Sequence, residues 1–302
     1  MNTDYENKIV TFLGETGKKW LDELPQIIKK YEQKWSIRTF PPFPLSYNYV
    51  CPAETFDKKS VVLKISFPNN TEFATEIEAL QSFNHAVSIR ILEIDLESSA
   101  VLLERATPGT RLREVVSQSE QVHIASQVIG SLHKPVTTHS LALFPSISDW
   151  AQVFDRYTTK YSLETGPIPK KIFSLGESIF KEFMQDKKEH VVLHGDLHSD
   201  NILLSERGWL VIDPKGVIGE REFELGAYLR NPYYDLPEDS DHKKIEADRI
   251  SQFSEELDFD RERIRGWALA CAVVSLLWFL EDESTFKDIY VRNAELLHDI
   301  KF

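Results

Sequence analysis

Residues 191–204 read VVLHGDLHSDNILL, and residues 211–216 read VIDPKG. Two apolar runs hem in His194, Asp196, His198, Asp200 and Asn201. A polar group buried without a partner costs roughly 1–3 kcal/mol. These side chains must therefore satisfy one another or hold something. One reading is a metal-dependent hydrolase: His194, Asp196, His198, Asp200 and Asp213 offer imidazole and carboxylate ligands suited to Zn²⁺, iron or Mn²⁺. On a strand, the alternating His194, Asp196 and His198 would share one face. That scheme gives no purpose to Gly195, to Asn201 or to the position of Asp213 at the end of WLVID (209–213).

The flanking patterns place the stretch between short strands, VVL and ILL, with a SERG turn before WLVID. Further upstream, SVVLKISF (60–67) alternates and is β-branched, which predicts a strand carrying Lys64. EFATEIEALQSF (72–83) spaces Phe73, Ile77, Leu80 and Phe83 as one helical face. VSIRILEIDLESSAVLLER (87–105) reads as two strands turning at Glu97–Ser99, and ATPGT (106–110) breaks the chain. Lys19–Trp35 is predicted as an amphipathic helix ended by the prolines of TFPPFPLSYNYV (39–50). Beyond Gly109 the patterning is mainly helical, through the last seventy residues. Two domains are expected, 1–106 and 107–302, with a hinge near Glu104–Gly109.

The chain has 302 residues and a formal net charge of −13. That charge disfavours nucleic acid, which is bound by Lys and Arg displacing counterions. It equally disfavours anionic membrane surfaces and favours a cationic small molecule. Cys51 and Cys271 make no disulfide framework, and MNTDYENK lacks the parts of a signal peptide. The apolar run Gly266–Leu280 has 15 residues, short of the ~20 that span a bilayer. A buried core helix and a cytoplasmic protein are expected. The oligomeric state is left open.

Phosphoryl transfer asks for a held triphosphate, neutralised charge and an oriented acceptor hydroxyl. Its kinase pattern is a His-x-Asp followed, after four residues, by Asn, and then by a metal-binding Asp. His194-Gly195-Asp196, Asn201 and Asp213 meet that spacing. Lys64 in a strand and Glu76 in the next helix match the pair that holds phosphates in kinases. Glu72 and Glu78 compete with Glu76 for that place.

On these residues the chain resembles the aminoglycoside phosphotransferase branch of the kinase-like fold. HGDLHSDN (194–201) is similar to that branch's catalytic loop, and IDP (212–214) stands where Asp–Phe–Gly would. SERGWLVIDPKGVIGEREFELGAYLRNP (205–232) and SLLWFLEDES (275–284) resemble the subgroup of streptomycin 6-kinases and hydroxyurea-resistance kinases. The resemblance implies an α+β bilobal protein-kinase-like fold, with a small β-rich N-lobe and a larger, mainly helical C-lobe. It implies transfer of the γ-phosphate of ATP, with Mg²⁺, to a hydroxyl of a streptomycin-type aminoglycoside. GTP as donor, another small alcohol as acceptor, and a catalytically silent scaffold stay open.

By the same resemblance, Asp196 orients and deprotonates the acceptor, while Asn201 and Asp213 ligate Mg²⁺. Lys64, oriented by Glu76, meets the α- and β-phosphates. Backbone groups at Glu104–Ala106 take the adenine edge, and His194 and His198 support the loop. No G-x-G-x-x-G precedes Lys64; SYNYVCPAETFDKKS (46–60) stands there instead, so the grip on the phosphates is unread. For the acceptor, residues 235–263 hold eleven acidic side chains against five basic. Glu281 and Asp282 are the expected contacts to a cationic substrate. Glu224, Arg230 and Lys215 are further candidates.

Overall fold

The computed structural model describes residues 3–230, 241–281 and 288–302. The alternation in 60–65 buries Val61, Leu63 and Ile65 and puts the lysine strand at the centre of a sheet. In chain order the N-terminal part runs α1 (Thr3–Lys34), β1 (Ile37–Thr39), β2 (Tyr49–Thr55), β3 (Ser60–Ile65), α2 (Glu72–Ser82), β4 (Ile91–Asp95) and β5 (Ala100–Glu104). The sheet order is β1-β2-β3-β5-β4, antiparallel throughout, with Lys64 opposite Val50 and Val101.

α1 begins well before the predicted Lys19. It breaks at Gly14, whose φ of 59° and ψ of −137° lie outside the helical region and are open to glycine at little cost. The two pieces lay Ile9, Trp20, Leu24 and Tyr31 against Ile37, Cys51 and Leu63. A separate cluster of Phe73, Ile77 and Leu80 joins α2 to Val101 and Leu103 of β5.

After Glu104 the chain crosses to β6 (Pro108–Arg111), then α3 (Gln118–Leu132), α4 (Thr138–Leu143), α5 (Ile147–Lys160) and α6 (Lys170–Phe183). The helices α3, α4 and α5 start where Ser117, Thr137 and Ser146 accept a backbone N–H of the first turn, the contact that Ser and Thr caps supply. Four short strands follow: β7 (His190–Leu193), β8 (Ile202–Ser205), β9 (Gly208–Val211) and β10 (Val217–Glu220). β7 pairs with β10, and β8 with β6 and β9, all antiparallel. These pairings clamp both ends of 194–201 and of 212–216, so the two loops lie side by side.

The remainder is α7 (Glu224–Arg230), α8 (His242–Leu257), α9 (Arg261–Glu281) and α10 (Asp288–Asp299). Length does not exclude a membrane span, because the helix is longer than the apolar run: α9 has 21 residues and is apolar enough to cross a bilayer. Packing decides instead: most of α9 is buried inside the protein. Trp267, in the first half of α9, meets Phe180, Phe183 and Phe223 edge-on at 5.0–5.2 Å. Full burial of each such side chain is worth roughly 1.5–3 kcal/mol. Polar groups beside them are satisfied, since Glu220 accepts Arg263 at 2.5 and 2.6 Å and also the Trp267 indole N–H.

Candidate active site

His194 is fully buried, and both ring nitrogens are engaged. Nε2–H donates to the Ile212 carbonyl at 2.8 Å, and Nδ1 accepts the Asp196 N–H at 3.3 Å. The carbonyl of His194 accepts the N–H groups of Lys215 and Gly216 at 2.9 and 3.2 Å. His194 thus sews loop 194–201 to loop 212–216. It has no lone pair left for a metal. His198 has one ring nitrogen engaged, its Nδ1 accepting the Asp200 N–H at 3.3 Å; burial holds its imidazole below the ordinary range. Among the described residues no group of three or more His, Cys, Asp or Glu is placed to hold a metal, which removes the basis for the hydrolase reading.

Gly195 has a φ of +79°, and a Cβ there would stand 2.9 Å from Trp150 and Val217. Only glycine fits on both counts. The N–H groups of His194 and Gly195 point at one carboxylate, Glu224, at 2.7 and 2.9 Å. Glu224 is fully buried and takes His133 Nε2 at 2.9 Å as well. Burial pushes its carboxyl up, but His133 and His194 outweigh burial and hold it below the ordinary range. Glu224 is therefore a support beneath the loop rather than an acceptor contact.

Asn201 is buried and spans both loops. Its Nδ2 donates to the Asp196 carbonyl at 3.0 Å, and its own carbonyl accepts the Ile212 N–H at 3.0 Å. That orientation turns Oδ1 away from the donor side. Asp213 lies two residues beyond β9 with a φ of 59°, and its side chain is 58% exposed. The Lys64 side chain is only 6% exposed, and its Nζ reaches both Glu76 oxygens at 2.6 Å and Asp213 Oδ1 at 2.5 Å.

Burial pulls the Lys64 ammonium down, but Asp213 and Glu76 outweigh it and hold it above the usual range. Lys64 in turn keeps the Asp213 carboxyl below its ordinary value. Burial raises the Glu76 carboxyl against the pull of Lys64. The competing Glu72 instead faces Lys215 at 3.5 Å, and Glu78 is not among the partners of Lys64.

Asp196 carries a partner that spacing did not suggest. Arg230, at the end of α7, places Nη2 at 2.5 Å from Asp196 Oδ1. Burial would raise the Asp196 carboxyl; Arg230, then His198 and Lys215, hold it down at about 2. Arg230 also lines a pocket with Gly195, Trp150, Phe223 and Trp278. Lys215 Nζ sits 5.4 Å over the Trp278 ring.

At the lobe junction the Glu104 N–H donates to Arg90 at 2.9 Å, and its carboxylate takes Arg207 at two distances of 2.7 Å. Ala106 is buried just beyond. Glu281 ends α9 and is held by Arg156 at 2.6 and 3.0 Å; Asp282 lies outside the described residues.

A five-stranded sheet above a mainly helical body is the protein-kinase-like architecture. Between them a buried Lys–Glu pair faces an aspartate, next to a His-Gly-Asp loop. The choline kinase LicA from Streptococcus pneumoniae superposes with a TM-score of 0.65 at 16% identity, over 92% of this chain and 100% of that one; it has also been solved with AMP. Residues 48–283 match the family of aminoglycoside/hydroxyurea antibiotic resistance kinases, and the chain belongs to that family. It is 27% identical to streptomycin 6-kinase from Streptomyces griseus over 274 residues, covering 90% of this chain and 88% of that protein. It is 26% identical to hydroxyurea phosphotransferase from Kitasatospora aureofaciens over 298 residues, covering 94% and 82%.

Proposed function

We propose that the chain transfers the γ-phosphate of ATP to a hydroxyl of a streptomycin-type aminoglycoside. One observation carries the reaction: Lys64, distant in sequence, converges on Asp213 at 2.5 Å, beside the loop that presents Asp196 and Asn201. The family and its streptomycin kinases support the acceptor. In this reading the β-sheet lobe, 1–106, takes the nucleotide, with the adenine edge at the backbone of Glu104–Ala106. The helical lobe, 107–302, takes the acceptor. An ATP donor places the reaction in the cytoplasm.

Lys64, released from Asp213 by the incoming nucleotide, would bind its α- and β-phosphates while Glu76 keeps the ammonium in place. Asn201 Oδ1 and the exposed Asp213 carboxylate form an all-oxygen donor set, which suits a hard cation. Mg²⁺ bound there would neutralise the phosphate oxygens during transfer. Asp196 accepts the proton of the acceptor hydroxyl as its oxygen bonds to γ-phosphorus. The bond to the β-phosphate oxygen breaks, and ADP leaves with that electron pair. His194 and His198 keep the two loops in register and do not react.

A second acceptor, a neutral sugar, is favoured by the one expected substrate carboxylate that the described residues include. Glu281, expected to meet a cationic group, is already paired with Arg156.

The test is ADP release from ATP and Mg²⁺ with streptomycin, other aminoglycosides, hydroxyurea and neutral sugars, run beside Asp196→Ala. Streptomycin-dependent turnover should fall by about 10²–10⁴ in the variant, the usual scale for losing a general base, with nucleotide affinity retained. Turnover with a sugar alone would replace the aminoglycoside. Undiminished transfer by the variant would remove Asp196 from the role of base.

A further inference from the structure

We propose that Arg230 is a positioning residue for the transfer: it holds one oxygen of the Asp196 carboxylate and leaves the other to receive the acceptor's proton. The inference rests on the phosphotransfer reading above and goes beyond it. Nη2 lies 2.5 Å from Asp196 Oδ1, while Oδ2 has no partner among the described residues. The second terminal nitrogen, Nη1, donates to the Ser275 hydroxyl of α9. Ser275 is itself anchored, donating to the Cys271 carbonyl at 2.9 Å. From α10, Asn293 Nδ2 donates to the Arg230 carbonyl at 2.9 Å. Three helices therefore converge to aim one guanidinium at one carboxylate oxygen. The ion pair is mostly sheltered, with side-chain exposures of 13% for Arg230 and 24% for Asp196.

The chemistry requires such a device. A carboxylate on a loop rotates about χ1 and χ2, and an aspartate beside Lys215 and His198 has other partners within reach. A displacement of about 1 Å at a reacting group costs on the order of 10² in rate. The planar fork of an arginine fixes the relative direction of its two bonds, which the freely rotating ammonium of a lysine does not. Arg230 spends one on Ser275 and one on Asp196, so the carboxylate is fixed relative to α9. The same helix brings Trp278 to the wall of the adjoining pocket, so Asp196 and that pocket share one frame.

The experiment compares wild type with Arg230→Ala, Arg230→Lys and Ser275→Ala, using streptomycin, or whichever acceptor the wild type turns over. Wild-type turnover tests the functional reading; the ratio of each variant to wild type tests the inference. Arg230→Ala should lose about 10–100-fold in kcat, with acceptor KM and nucleotide affinity within about threefold. Added guanidinium ion, entering the vacated space, should restore part of that loss. Arg230→Lys should fall between, and Ser275→Ala should lose severalfold, since each keeps only part of the fork.

A kcat for Arg230→Ala within about threefold of wild type would overturn the proposal. A loss confined to acceptor KM would overturn it too, making Arg230 a contact to substrate. So would a kcat loss that comes with a lowered melting temperature and no guanidinium rescue, the mark of a purely structural role.

Discussion

Replacing Glu224 by Gln tests whether a buried charge holds loop 194–201. The carboxylate is fully buried and accepts the N–H groups of His194 and Gly195 at 2.7 and 2.9 Å. Gln is nearly isosteric, but one oxygen becomes an NH₂ group. Whichever loop N–H faces that group then meets a donor. The lost charge-assisted hydrogen bond is worth about 1.5–3 kcal/mol, and the stranded buried N–H costs about 1–3 kcal/mol. Together, Glu224→Gln should lower stability by about 3–5 kcal/mol, out of a typical 5–15 kcal/mol for a folded protein.

The assay is urea unfolding, read as the midpoint and slope at a series of pH values. The sign of the pH effect follows from linkage. Glu224 is held below its ordinary carboxyl value of 4.5 in the folded state. Its ionised form therefore contributes fully above that value, and the contribution fades as pH falls through the lower folded value. Gln does not titrate, so the gap between the proteins should be constant from about pH 7 down to pH 5.5 and shrink below about 4.5. A gap under about 1 kcal/mol at pH 7, or one that stays flat into acid, would refute the reasoning.

Asp213→Ala should weaken Mg²⁺-dependent nucleotide binding at least about tenfold, on the scale of losing a metal ligand; a titration with and without Mg²⁺ measures it, and an unchanged Mg²⁺ effect would count against the metal role. Arg207→Ala should loosen the joint between the lobes. Arg207 donates to Glu104 and to the carbonyls of His85 at 2.6 Å and Ser88 at 2.8 Å. With the side chain 25% exposed, about 2–3 kcal/mol is expected. A urea midpoint equal to that of wild type would remove Arg207 from that role.

What was legible in the sequence was what is local in the chain. The run from His194 to Asn201 and on to Asp213 lies within 20 residues, so its spacing survives in one string and marks the family. The β-branched alternation around Lys64 and the 3.6-residue spacing of 72–83 set the strand and the helix, because each depends on near neighbours. Glu72 and Glu76 lie on one side of α2 a turn apart, and the interval from Glu76 to Leu80 picked Glu76 through the family resemblance. In the fold Glu76 is enclosed beneath the sheet, and Glu72 faces Lys215.

The partners that hold the site come from far along the chain, and no local pattern carries them. Glu224 lies 30 residues past His194, Arg230 lies 34 past Asp196, and Arg207 lies 103 past Glu104. Each is an ordinary charged residue in sequence, and only packing selects its partners. The same holds for Glu281, whose carboxylate was free in the string and is bound to Arg156 in the fold. For α9, hydropathy and length permit either a membrane or a core, and the helices packed around it decide. Sequence alone marked the family, because the groups of the two loops are held at fixed chain intervals. Tertiary structure decided which charges hold those loops, because an ion pair depends on distance in space and on exclusion of water.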